Sequence, residues 1–313
     1  MKNYLVTGGA GFIGSGMAEK LAADANIKVV IVDNFVTGLT EKLPDLNLYP
    51  NVRFIKCDVN NYEDIASVFY AYKFEYVFHY AALVGVKRTL QNPVAVLEDV
   101  KGLENILRLS KNTNVKRVFY SSSSEVYGEP VEFPQNENTT PLNSRLPYAV
   151  VKNLGESYLK SYKQEFDLNY TIFRFFNTYG PKQSKEFVVS RFLNQALKNE
   201  DITIYGDGSQ TRTFCYINDN IDACYNTIGN PEFANDVINI GGNEEITILE
   251  LAKTIKLVTG STSSIVYLPP LAEGDMTRRL PDVTKMNLLL NRPKTSLEEG
   301  LKKILENRRF IID

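Results

Sequence analysis

Histidine occurs once in the 313-residue chain, at His79, and cysteine three times, at Cys57, Cys215 and Cys224. One histidine speaks against both a multi-histidine metal site and a histidine-based catalytic triad. On the apolar run Tyr76–Ala82, His79 reads as a hydrogen-bonded core residue, and no chemistry is assigned to it. The cysteines lack metal-ligand spacing and read as buried thiols of a reducing compartment, so no metal is expected. Charge of one sign is not in excess either. With 35 Lys and Arg against 37 Asp and Glu, the basic face of a nucleic-acid binder is missing. No run of about 18 apolar residues exists to span a membrane. The start Met1-Lys2-Asn3-Tyr4 enters a strand directly, leaving no room for a signal peptide, and a cytoplasmic location is expected. Repeats and low-complexity stretches are absent as well.

What is present is a chain 43% apolar, enough for one large or two modest domains. Its opening places the apolar run Tyr4-Leu5-Val6 before Thr7-Gly8-Gly9-Ala10-Gly11-Phe12-Ile13-Gly14, and Met17–Ala22 then has helical character. Strand, glycine-rich turn and helix is the context of a dinucleotide phosphate site, in which glycines permit the tight turn, backbone approach to pyrophosphate, and close helix packing. The helix N-terminus adds N–H groups and a positive dipole end. The spacing of Gly8, Gly11 and Gly14 departs from the common G-x-G-x-x-G, and alone it is equally an ordinary turn.

Lys28–Asp33 is a second strand ending in an acid, 19 residues after Gly14. A carboxylate roughly 20 residues past the motif accepts from an adenosine ribose hydroxyl and repels a 2′-phosphate, favouring NAD over NADP. Asp33-Asn34 is also good turn chemistry. Val52–Val59 predicts a third strand whose end, Asp58-Val59, flanks the adenine; Tyr62–Tyr72 is helical, and Tyr76–Ala82 is a fourth strand closing in small Ala81-Ala82 beside the cofactor path. A helix over Ala95–Leu109 and a strand over Val115–Tyr120 follow, then four serines, Ser121–Ser124. This alternation predicts an α/β, Rossmann-type, doubly wound parallel sheet with ligands at the strand carboxyl ends.

Within the helical stretch Pro147–Tyr162, Tyr148 and Lys152 stand at i and i+4 and share a face. A phenol is a poor base at pH 7, but an adjacent ammonium and a cationic nicotinamide ring favour phenolate. Tyrosine then removes a hydroxyl proton as hydride leaves for the cofactor.

Here the chain resembles the extended short-chain dehydrogenase/reductases that act on nucleotide sugars. The matching features are the Thr7–Gly14 turn, Ser123-Ser124-Glu125-Val126-Tyr127-Gly128, Tyr148-x-x-x-Lys152, Arg174–Pro181 and Gly206–Phe214, in order over nearly the whole chain. The resemblance implies NAD held by Gly8, Gly11, Phe12, Ile13, Gly14, Asp33, Asn34, Asp58, Val59, Ala81 and Ala82, together with Tyr148 and Lys152. It makes Tyr148 the base, Lys152 the group that orients cofactor ribose and lowers the phenol pKa, and Ser123 the partner of the sugar C4 hydroxyl. Asn177 and Arg212 would hold the nucleotide diphosphate of a UDP-sugar, and the stretch from Phe187, including Val188, would approach the base. One departure is Asp99, where relatives usually show asparagine.

Members of this group oxidise sugar C4 and then epimerise, dehydrate or decarboxylate. Ser124-Glu125, with Arg279 placed for a substrate carboxylate, resembles UDP-glucuronate decarboxylases, which make UDP-xylose. The plainer assignment has Glu125 satisfying backbone and Arg279 binding phosphate. The short loop Pro181–Glu186 and the Gly274-Asp275 pair resemble UDP-hexose 4-epimerases instead. A 4,6-dehydratase and a non-catalytic nucleotide sensor, which would lack the tyrosine or lysine, are weaker alternatives. Further on, Val188–Lys198 reads as a helix, Ile202–Tyr205 as a strand, Asp219–Ile228 as a helix, Val237–Gly241 as a strand rejoining the sheet, and Ile248–Val258 and Leu297–Asn307 as helices. The expected domains are 1–178 with roughly 237–260 for NAD, and 179–236 with 261–313 for the sugar. A homodimer through the helices Ala95–Leu109 and Pro147–Tyr162 is expected from the resemblance, although core packing equally explains their apolar faces.

Overall fold

The computed structural model describes residues 1–270 and 278–307. In chain order the larger elements of the first half are β1 (Lys2–Thr7), α1 (Phe12–Ala22), β2 (Ile27–Asp33), β3 (Val52–Lys56), α2 (Tyr62–Tyr72), β4 (Tyr76–His79), α3 (Val86–Gln91), α4 (Pro93–Asn112), β5 (Arg117–Ser123), α5 (Pro147–Phe166) and β6 (Asn169–Phe175). The second half adds β7 (Thr178–Tyr179), α6 (Val188–Leu197), β8 (Ile202–Tyr205), β9 (Thr211–Thr213), β10 (Cys215–Tyr216), α7 (Ile217–Tyr225), β11 (Asp236–Ile240), β12 (Glu245–Thr247), α8 (Ile248–Thr259), β13 (Ile265–Leu268), α9 (Thr284–Leu290) and α10 (Leu297–Glu306).

Seven strands form one sheet in the order β11-β6-β5-β4-β1-β2-β3, and β1 to β5 pair in parallel. The order reverses at β1, next to β4, which is the switch point where doubly wound sheets open a crevice for ligands. The sequence reading of a Rossmann-type sheet therefore holds, including the return of β11. The strands read as apolar runs because consecutive residues, which face opposite ways, are buried; on one face Leu5, Val30, Val77 and Val118 pack with Ile65 and Phe69 of α2 and Leu103, Ile106 and Leu107 of α4.

Two compact units divide the described chain. One comprises Met1–Val126, Ser144–Arg174 and Ile221–Ile238 and carries most of the sheet; the other comprises Tyr127–Asn143, Phe175–Asn220 and residues from Asn239 onward. The second unit contains three two-stranded sheets, β7 with β10, β9 with β12, and β8 with β13. Its core closes tightly around Tyr179, where a Cβ on Gly300 of α10 would come within 2.1 Å of the phenol oxygen. Helix α8 begins with a capping box between Thr247 and Glu250 and ends at Gly260 in the left-handed region, with φ +66°.

The third and fourth strands stop at Lys56 and His79, short of the expected Val59 and Ala82, and two further boundaries differ from the sequence reading for local reasons. The strand expected to stop at Tyr120 continues to Ser123, because buried serines there bond inward: Ser121 Oγ donates to the His79 carbonyl at 3.3 Å and Ser122 Oγ to Glu156 at 2.6 Å. Helix α1 begins at Phe12, inside the glycine motif, so that Gly14 lies within its first turn.

Candidate active site

The glycine turn is closed by backbone approach that side chains would block. Gly8 takes φ +67°, and a Cβ on it would meet Ala81 N at 2.7 Å. A Cβ on Gly14 would lie 2.3 Å from the Gly8 carbonyl oxygen. Helix α1 has Gly11 as its N-cap, with no side-chain cap and no acid in its first turn. Its leading N–H groups and positive dipole end therefore meet no acid from the helix's own cap or first turn, a fit to a bound pyrophosphate.

Asp33 ends β2 beside that turn and is 9% exposed. It performs the turn role in full: one oxygen accepts from Ala10 N at 3.0 Å and the other from Phe35 N at 2.8 Å. Each carboxylate oxygen has a second acceptor direction, so these bonds leave the group able to receive ribose hydroxyls. Gly38 stands against it, since a Cβ there would be 2.6 Å from Asp33 Oδ1. Asn34 accepts from Val36 N, and Asp58, two residues past β3, accepts from Asn60 N at 2.9 Å, so both order their loops. Val59 is buried, whereas Phe12, Ile13, Ala81 and Ala82 are half-buried.

Thr7 was not singled out by sequence, although a hydroxyl directly before Gly8 was the available signal. Its Oγ1 accepts from Tyr80 N and Ala81 N, both at 3.1 Å, and lies 2.9 Å from His79 Nδ1. With both amides pointing at the oxygen, its own proton goes to Nδ1, which leaves the imidazole proton on Nε2. His79 is thus the hydrogen-bonded core residue expected. Burial, with the Lys152 charge nearby, lowers its pKa from 6.5 to about 3. Between those values the unfolded chain binds a proton that the folded chain refuses, so stability rises with pH. The loss on acidification from pH 6.5 is roughly 1.4 kcal/mol per pH unit. Thermal denaturation should show a shallower acid slope for His79→Asn, which keeps an acceptor for Thr7; an unchanged slope sinks the assignment of a neutral imidazole.

Tyr148 opens α5 half-buried, and Lys152 one turn later is 3% exposed. Lys152 Nζ lies 3.4 Å from Ser121 Oγ, 5.0 Å from the Tyr120 ring centroid and 5.7 Å from that of Tyr148. Burial lowers its pKa from 10.5 to about 8, against which the Asp99 carboxylate pulls it up. Asp99 in turn accepts from Leu83 N at 2.7 Å, and burial raises its pKa. Asp99 is thus the carboxyl group whose charge opposes the effect of burial on Lys152. Ser123 ends β5, 9% exposed, with its Oγ accepting from Glu125 N at 3.2 Å. Ser124 is buried and Glu125 half-buried on the short helical turn that follows.

In the second unit, Arg212 sits on β9 opposite Ile246 of β12, 8% exposed, and donates to the Thr211 carbonyl at 2.8 Å. Asn177 joins it by donating to the Thr213 carbonyl at 3.0 Å. The two neighbouring arginines differ. Arg278 grips Glu245 with bonds of 2.7 and 2.6 Å and stacks 4.1 Å from the Phe133 ring centroid, while Arg279 is 6% exposed. Val188 is the first residue of α6. Gly274 and Asp275 lie outside the described residues. Cys57, Cys215 and Cys224 are buried and form no disulfide, and no described helix is long and apolar enough to cross a membrane.

Comparison with known proteins agrees with this geometry. Residues 4–241 match the NAD dependent epimerase/dehydratase family. A putative UDP-glucose 4-epimerase of Methanocaldococcus jannaschii is 36% identical, over 96% of both chains. UDP-glucuronic acid decarboxylase 1 of Danio rerio is 35% identical, over 97% of this chain and 72% of the relative. Among solved structures, UDP-glucose 4-epimerase of Thermotoga maritima with UDP-glucose superposes with a TM-score of 0.90 at 35% identity, covering 97% of each chain. With the glycine cradle, the Tyr148–Lys152 pair and the sheet order all in place, this chain belongs to the NAD-dependent epimerase/dehydratase family of nucleotide-sugar enzymes.

Proposed function

We propose that the chain transiently oxidises C4 of a UDP-sugar, with Tyr148 as the base. The observation that carries this reading is Tyr148 and Lys152 one turn apart on α5, with the ammonium buried near both phenol rings. Gly8, Gly11 and Gly14 and the open start of α1 hold the NAD pyrophosphate, and Asp33 the adenosine ribose. When bound, NAD supplies the hydride acceptor and donor at C4. Lys152 orients the nicotinamide ribose and, as a cation, favours the phenolate of Tyr148. Ser123 donates to the C4 oxygen while Tyr148 takes its proton. Arg212 and Asn177 bind the diphosphate, the former with the fixed fork that suits phosphate.

For the product, our first reading is decarboxylation of UDP-glucuronate to UDP-xylose. The C4 ketone makes the uronate a β-keto acid; the C5–C6 bond breaks, its electrons pass to the ketone as carbon dioxide leaves, and C5 is reprotonated beside Ser124 and Glu125. Arg279 supports this as a guanidinium-bearing residue only 6% exposed, beside Arg278, which Glu245 and Phe133 engage. The second reading, UDP-hexose 4-epimerisation, is favoured by the Methanocaldococcus relative, which matches over nearly its full length.

NMR of reactions with UDP-glucuronate, UDP-glucose and UDP-N-acetylglucosamine decides between them. Carbon dioxide and UDP-xylose from the uronate support the first reading; C4 epimers without carbon dioxide overturn it. Arg279→Ala should lower kcat/KM about 10²-fold for a uronate and under about tenfold for a neutral sugar, because only the former loses a charge-assisted bond. Equal losses assign Arg279 to phosphate. We also propose a homodimer through α4 and α5, whose Val94, Leu97, Val150 and Leu154 are 71%, 47%, 40% and 40% exposed. Sedimentation at the mass of one chain would count against it.

A further inference from the structure

A buried ion pair lies behind the reacting groups. Arg174 of β6 and Glu156 of α5 have side chains only 2% and 1% exposed and meet through two bonds, Nε to Oε1 at 2.9 Å and Nη2 to Oε2 at 2.7 Å. Ser122 Oγ donates to the same Oε1 at 2.6 Å, and Lys160 Nζ, on the outer side, is 4.0 Å from Oε2. Three elements are therefore fixed at one carboxylate: β5, α5 and β6.

Such a pair is a poor device for stability alone. Desolvating two ions costs as much as their attraction returns, and packed apolar side chains of similar volume leave a fold equally or more stable. What the fork supplies is geometry, since a bidentate guanidinium–carboxylate pair fixes both distance and orientation. Its location gives that geometry a use. Ser122 is the residue before Ser123, while Glu156 is one turn beyond Lys152 and two beyond Tyr148, on the same helix face. Helix and strand are also in steric contact there, because a Cβ on Gly155 would come within 2.2 Å of the Tyr120 phenol oxygen. Close packing holds α5 against β5 in depth, and the carboxylate holds it against sliding along the strand.

We propose that Glu156, Arg174 and Ser122 are positioning residues that set the register of α5 on β5, and so the reach from Tyr148 and Lys152 to the substrate oxygen beside Ser123. The inference rests on the proposed Tyr148 chemistry. A shift of one helical residue is about 1.5 Å, and a misplacement of about 1 Å at reacting atoms costs about 10²-fold in rate.

The test uses the full chain with NAD and whichever UDP-sugar it turns over. The double variant Glu156→Leu/Arg174→Met replaces the pair with apolar groups and is expected to melt within about 5 °C of the parent. It should bind NAD and keep KM within about threefold, yet lose about 30-fold to 100-fold in kcat. The acid limb of its kcat–pH profile should move up by about one pH unit, as the ammonium loses its hold on the phenol; a purely structural pair would not move that limb. Ser122→Ala, which leaves the pair whole, should lose about fivefold in kcat with an unchanged melting temperature. A folded double variant with kcat within about threefold of the parent and an unmoved acid limb overturns the proposal. If the double variant does not fold, Ser122→Ala decides, and parental kcat there overturns it. Turnover surviving in Tyr148→Phe is a separate result: it removes the proposed base, whatever the ion pair does.

Discussion

Replacing Tyr148 with phenylalanine is expected to lower kcat about 10³-fold, the scale of a lost general base, while NAD affinity changes by less than about threefold. The substitution removes one oxygen from a half-buried ring at the start of α5 and leaves the glycine turn, Asp33 and Lys152 as they are. Cofactor binding, read by calorimetry, and turnover, read by product NMR, should therefore separate. The companion feature lies in the parent's pH profile. Lys152 loses its proton at about 8 in the folded chain, so the phenol loses its cationic neighbour above that pH and kcat falls on the alkaline side. Turnover that survives in Tyr148→Phe places the base on another residue.

Gly14→Ala should have the second large effect. Its new Cβ would lie 2.3 Å from the Gly8 carbonyl oxygen, 2.9 Å from the Gly8 carbonyl carbon and 3.0 Å from Gly9 Cα. All three are backbone atoms of the turn, so no rotamer relieves the clash and α1 must move away from the loop. NAD affinity should fall at least about 10²-fold, because the amides of the turn and of α1 can no longer converge on one pyrophosphate. The melting temperature should fall by about 5 °C or more. Gly229 offers the control, since nothing lies within 4 Å of a Cβ there. Its own positive φ of +72° makes an alanine strained, so a small melting shift with unchanged NAD affinity is the expected contrast. If NAD binding withstands Gly14→Ala, the phosphate cradle is elsewhere.

These expectations show which features the sequence made legible. The parallel sheet was readable because each of its first strands is an apolar run followed by a helical period, a pattern set by local composition. Tyr148 and Lys152 were readable because helical spacing puts them on one face and the glycine turn and serine run precede them in order. Short strands such as β9 and β12 were not, since three-residue strands have no period and exist only through their partner. The pairing of Glu156 with Arg174 escaped for a different reason. Arg174 is a charge inside an apolar run and Glu156 one polar residue of a mixed helix, each by itself noise; they become a pair only when β6 is laid beside α5. Asp33 shows a third case, in which sequence reasoning posed two roles as alternatives and the geometry lets one carboxylate serve both.

The burial of Lys152 has a thermodynamic consequence for the whole chain. Its pKa falls from 10.5 in the unfolded chain to about 8 in the folded one. Over that interval the unfolded state binds more protons, so folding gains from rising pH. Conversely, at pH 7 the folded chain carries a desolvated cation at a cost of roughly 3 kcal/mol. Part of the stability generated by the sheet and its covering helices is thus spent on keeping one ammonium charged out of water. A methionine at position 152 would return it and end the chemistry, so thermal stability and turnover are set against each other at this single residue.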